Sequence, residues 1–124
     1  MAKENIKKFR MGHQDAKHNG VLSVVTSIDY LPEGADGFYG ISYGASFCSP
    51  TEPQYNKKFG YDLAEARLNT PGEIYTGVFL LKHKHLSHGA IKRHVLMSLL
   101  LDPNLPDWAY GMLYKYLFDT LLGW

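Results

Sequence analysis

The chain has one cysteine, Cys48, among its 124 residues, so it closes no disulfide within itself and builds no four-cysteine zinc site. A reducing compartment suits that composition. Charge of one sign is also scarce, because thirteen Lys and Arg face twelve Asp and Glu for a formal net charge of +1. Near-neutrality excludes both an acidic nucleic-acid mimic and a cationic coat for extended nucleic acid, so any basic surface has to be local. The first twenty residues, MAKENIKKFRMGHQDAKHNG, lack the apolar stretch of a secretory signal, and no run of about 18 apolar residues occurs anywhere, which predicts a cytoplasmic protein without a membrane span. Internal repeats and low-complexity tracts are absent. Gly-x-Gly-x-x-Gly, phosphate-loop and Gly-x-Ser-x-Gly signatures are missing as well, so dinucleotide, P-loop and α/β-hydrolase chemistry have no support.

What the sequence does contain is an ordinary globular share of hydrophobic residues, 45%, in a length that fits one domain. Its aromatic share is high, with nine Tyr, six Phe and two Trp. Tyr buries area while keeping a polar handle, and a small Tyr-rich chain points to a binder.

Residues 1–20 are polar and carry Lys3, Lys7, Lys8, Arg10, Lys17, His13 and His18. They read as a basic arm or an edge element ordered by a partner, ahead of a single domain over 21–124. From Val21 to Tyr30 the pattern alternates, Leu22, Val24, Thr26, Ile28 and Tyr30 against Ser23, Ser27 and Asp29, and predicts a half-buried strand. LPEGADG is a turn leading to a second alternating run, Phe38 to Cys48, and the two should form an antiparallel hairpin. One face of that second strand reads Gly40, Ser42, Gly44, Ser46, Cys48, the other Tyr39, Ile41, Tyr43, Ala45, Phe47. A row of small residues marks a close approach to the backbone, by a packed helix, by a second subunit, or by a flat ligand such as a nucleobase flanked by Tyr39 or Tyr43.

Thr51 and Gln54 then match a capping box, Pro53 suits a first helical turn, and Tyr55, Phe59, Leu63 and Ala66 recur at helical spacing up to Asn69, before Pro71-Gly72. An apolar strand over Glu73–Leu81 is expected at the centre of the sheet. A helix from Ser87 to Leu101 and another from Asp107 to Leu122 follow, separated by DPNLP. The predicted fold is therefore α+β, in the order ββαβαα. Trp108, Tyr110, Leu113, Tyr114, Tyr116, Leu117, Phe118 and Leu121 are too many large apolar groups for one small domain to hide, which predicts a homodimer or higher oligomer through Asp107–Trp124.

Chemistry concentrates in LLKHKHLSHGAIKRH. His83, His85 and His88 stand at His-x-His-x-x-His spacing after a strand and before a helix, and resemble the zinc motif of the metallo-β-lactamase fold. The resemblance implies a zinc-activated water for hydrolysis. Ser87 stands where that motif carries Asp, the chain is about half the length that fold requires, and the nearest downstream acids are Asp102 and Asp107. Read as charge instead, Lys82, His83, Lys84, His85, His88, Lys92, Arg93 and His94 form a basic segment without an acid, at a strand end and a helix start, where phosphates are commonly held. Lys57, Lys58 and Arg67 are expected to face the same cleft. Cys48 alternates onto a packing face and reads as a structural thiol.

Ser49-Pro50, Glu52, Tyr55, Lys57-Lys58, Gly60, Ala64 and Arg67-Leu68 resemble a segment of small phage and prophage proteins. The overall plan, a small antiparallel sheet with two C-terminal helices in an oligomer, is similar to the phage Thoeris anti-defence proteins. That resemblance implies a non-catalytic sponge for a nucleotide-like immune signal. The residues themselves suggest where such a ligand would sit: phosphates on Lys57, Lys58, Arg67, Arg93 and the His83–His88 turn, the base on Tyr39 or Tyr43, with no catalytic residue and no required cofactor. A zinc hydrolase built on His83, His85 and His88 is the enzymatic alternative. An anti-CRISPR-like inhibitor docking its terminal aromatic helix, Trp108 and Tyr116 foremost, onto a host nuclease is the third.

Overall fold

The computed structural model describes residues 6–12, 20–31, 37–49, 57–70, 72, 74–82 and 86–122. Seven elements follow in chain order: β1 (Lys7–Gly12), β2 (Val21–Leu31), β3 (Phe38–Cys48), α1 (Lys57–Leu68), β4 (Thr76–Lys82), α2 (His88–Leu100) and α3 (Ala109–Leu122). The fold is α+β, with one fully antiparallel sheet in the order β1-β2-β3-β4. The capping box at Thr51 and Gln54, Pro53, Pro71, most of the turn before β3, and Trp124 lie outside the described residues.

The expected antiparallel β2–β3 hairpin forms, with Val21 opposite Cys48 through Leu31 opposite Phe38. Three expectations are corrected around it. Of the two readings of residues 1–20 the edge element holds for β1, which pairs along β2 from Lys7 opposite Thr26 to Gly12 opposite Val21, but the domain therefore begins before Val21 and the strand's partner is the chain itself. The β2 strand is buried on both faces, Ser23 and Ser27 as completely as Leu22 and Val24, because a helix covers the side that reads as polar. The β4 strand is an edge strand instead of a central one, and its Val78 and Leu80 are exposed.

The layers follow from side-chain alternation. Leu22, Val24 and Ile28 of β2 join Ile41, Tyr43 and Ala45 of β3 in the main core, closed by Ile91, Val95, Leu96 and Leu99 of α2 and by Ala109 and Leu113 of α3. On the opposite face Val25 packs with Ala64 and Leu68 of α1. There the small-residue row finds its occupant: a Cβ on Gly44 would collide with the Ala64 carbonyl oxygen and the Leu68 nitrogen, and the Ser46 hydroxyl donates to the Gly60 carbonyl at 2.7 Å. The α1 backbone rests on the β3 backbone.

The α2 helix is capped by Ser87, whose hydroxyl accepts from the Ala90 N–H at 3.0 Å. At the other end of β4, Tyr75 takes a left-handed backbone, φ 58°, which costs a non-glycine residue of order 1–3 kcal/mol. It is held there by its N–H donating to Asp102 Oδ2 at 3.0 Å, its hydroxyl donating to the Asn104 carbonyl at 2.6 Å, and the Arg67 guanidinium over its ring at 5.2 Å. Among the described residues, no helix is long and apolar enough to cross a membrane.

Candidate functional site

The end of β4 and the start of α2 enclose an open pocket of about 510 Å³, lined by Phe38, Leu80, Leu81, Lys82, Ser87, Ala90, Arg93 and His94. Pairing of β3 with β4 places Phe38 opposite Lys82 and so sets an aromatic wall beside an ammonium. Arg93 and His94 come from the second turn of α2. His94 is fixed on two sides: its Nδ1 donates to the Ala90 carbonyl at 2.8 Å, and its ring stacks on Phe79 with centroids 5.1 Å apart and planes 20° apart. Because a carbonyl only accepts, the neutral ring carries its proton on Nδ1 and leaves Nε2 as an acceptor, while the protonated ring donates from both nitrogens. None of the described lining residues is acidic. Cationic donors next to an apolar wall are suited to a small anion with a flat or apolar portion.

The residues singled out by sequence are divided by the sheet. Arg93 lines the pocket. His88 begins the same helix on another flank, edge-on to Phe9 of β1 at 6.3 Å, with Lys92 over that same ring at 5.5 Å. Burial, and then the charges of Lys92 and Lys7, push the His88 imidazole below its usual range and favour its neutral form. His83 and His85 lie outside the described residues. Among the described residues, no group of three His, Cys, Asp or Glu side chains is placed to hold a metal ion.

Lys57, Lys58 and Arg67 belong to α1 on the opposite face, so the shared cleft expected for them and Arg93 does not form. Lys58 pairs with Asp62 at 2.8 Å in the exposed i,i+4 arrangement. The Lys57 backbone opens α1, and its side chain is outside the described residues. Arg67 Nη1 donates to the Ala45 carbonyl at 2.8 Å and caps the Tyr75 ring, which commits it to holding α1 against the sheet.

Tyr43 is buried under α2, where loss of hydration pushes its phenol up to about 12, the charge of Asp102 adds to the rise and a hydrogen bond with Ser98 opposes it. A ring in that position has no face left for a base. Tyr39 is half-buried against the main core. The pocket's own Lys82 and His94 belong to the basic segment the sequence displays, whereas Phe38 and Ser87 enter through strand register and helix capping. Comparison with known protein families, with characterised proteins and with solved structures finds no match.

Proposed function

We propose that the chain is a non-catalytic binding protein that sequesters a small phosphorylated, nucleotide-like ligand in the pocket between β4 and α2, and that in a phage-infected host this withholds a defence signal. The observation that carries the reading is the meeting of Lys82, Arg93 and His94 beside Phe38 with no acid among the described lining residues. The phosphate belongs with the three nitrogen donors and the base with Phe38. This site is narrower than the sequence implies, since it excludes Lys58, Arg67 and Tyr43.

Calorimetric titration with cyclic dinucleotides and nucleoside phosphates tests it. Binding of one ligand per chain is expected, with Arg93→Ala weakening it by roughly 10- to 100-fold, the range of one charge-assisted hydrogen bond. Ligand released by heating should be intact. Cleaved product would replace the sponge with an enzyme, and zinc retained by protein prepared without a His tag would direct attention to His83, His85 and His88. Absence of binding to every phosphate compound would overturn the site.

A second reading, a protein inhibitor of a host nuclease, draws on α3. Tyr110, Tyr114 and Phe118 recur every four residues and are exposed. Trp108 and Tyr116 pack against the core instead, Trp108 edge-on to Phe47 at 5.8 Å, so the docking residues of that reading shift to the exposed stripe.

A further inference from the structure

The two edges of the sheet differ in kind. Along β1, Lys7, Lys8 and Arg10 place three cations in six residues, the usual protection of an edge against foreign strands. Along β4, TGVFLLK, the only charge is the terminal Lys82, and among the described residues no strand pairs beyond it. Val78 is 72% exposed and Leu80 57%. The Ala45 N–H donates to the Tyr75 carbonyl at 2.9 Å, which fixes the alternation of the ladder: the Tyr75 carbonyl and the backbone groups of Gly77, Phe79 and Leu81 face β3, and those of Val78 and Leu80 point away from it.

Apolar side chains surround this edge on both faces. Val78 and Leu80 share a face with Ser42 and Gly40, on the side of α1. On the other face, Met97 and Leu101 are 50% and 84% exposed, and they continue the α2 stripe begun by His94 over Phe79. A monomer would leave all of this apolar surface, together with an unprotected strand edge, in water.

We propose that the occupant of this edge is a second copy of the chain, pairing β4 antiparallel to β4 across a two-fold axis at Phe79 to make one eight-stranded sheet. The strand is self-complementary in that register. Val78 falls opposite Leu80 of the partner subunit, Leu80 opposite Val78 of the partner subunit, and Lys82 opposite Thr76 of the partner subunit, so outward-bonding residues meet each other and no like charges meet. Pairing β4 with the partner's β1 would instead set the apolar run against Lys7, Lys8 and Arg10. The interface stands independently of the ligand reading, although Leu80 and Lys82 place it at the margin of the same pocket.

Light scattering coupled to size exclusion is expected to give 28 kDa, twice the 14.0 kDa chain. Val78→Lys with Leu80→Lys should give a monomer with unchanged circular dichroism, because both positions are exposed, while Tyr114→Lys with Phe118→Lys should leave the dimer intact. Register is read separately by cysteines in a Cys48→Ser background. Oxidising a mixture of Val78→Cys and Leu80→Cys proteins should yield a disulfide dimer that neither protein forms alone, since directly opposed residues of such a pair have Cα atoms about 5.5 Å apart, within disulfide reach. A monomeric wild type, a dimer lost through the α3 substitutions but not the β4 ones, or cross-linking of either single variant by itself would overturn the proposal.

Discussion

A phenol beneath a helix loses the water that would stabilise its anion, and Tyr43 is such a phenol. Its ionisation moves from the ordinary 10.0 to about 12, so the folded state resists losing a proton that the unfolded state gives up readily. The contribution to stability is complete below pH 10 and is lost as pH rises through about 12. Urea unfolding at increasing alkaline pH should therefore show the midpoint falling across that window, and Tyr43→Phe should flatten the fall. A tyrosine titrating at its ordinary value in the folded protein would contradict the burial. The same burial separates Tyr43 from Tyr39: alternation assigns both to one strand face, but only the position under α2 is sealed.

At the scale of elements, α1 is seated by the absence of a side chain. At Gly44 the clash a methyl would meet is with the backbone of Ala64 and Leu68, which has no rotamer to yield. Gly44→Ala is expected to cost about 3 kcal/mol, at the upper end for overpacking, read from chemical denaturation, whereas Gly72→Ala meets no neighbour and is limited to the strain of its positive φ. The row of small residues signalled a close approach in the sequence, with a packed helix among its candidate occupants, and the alternation in Val21–Tyr30 and Phe38–Cys48 announced the hairpin. Other elements were hidden for physical reasons. Lys7, Lys8 and Arg10 make β1 resemble a solvated tail, because an edge strand needs only one neighbour and tolerates charge. The apolar run of β4 resembles a buried strand, because a sequence does not show whether the neighbours are present in the same chain. Ser23 and Ser27 suggest a wet face, yet they lie under α1. For the site, charge clustering pointed to Lys82, Arg93 and His94, but nothing local says that a sheet separates them from the cations of α1.

For the whole molecule, the strained Tyr75 joins parts that are distant in sequence. Asp102, in the connection from α2 to α3, accepts the Tyr75 N–H with one oxygen and the Asn104 N–H with the other at 2.8 Å. Removing the carboxylate leaves two donors to find new partners and frees a backbone that has reason to relax. Asp102→Ala should lower global stability by about 1–3 kcal/mol in a single transition, seen equally by tyrosine fluorescence and circular dichroism. Loss of signal from one helix alone would mean that the latch is local. The sheet itself acts at this scale as a partition, keeping the cations of α1 away from the pocket, so the nearly neutral chain presents separate basic regions on its two sides.

The difference between the charged margin at β1 and the bare one at β4 bears finally on number. Among the described residues each copy offers one bare pairing edge, a valence of one. Once two β4 strands have met, both outer margins of the sheet are β1, each carrying Lys7, Lys8 and Arg10. A further copy finds nowhere to add. A β4–β4 dimer would thereby end its own growth at two chains, and the same surface that would make a fibre in a sheet with two bare edges would make a closed particle in this one.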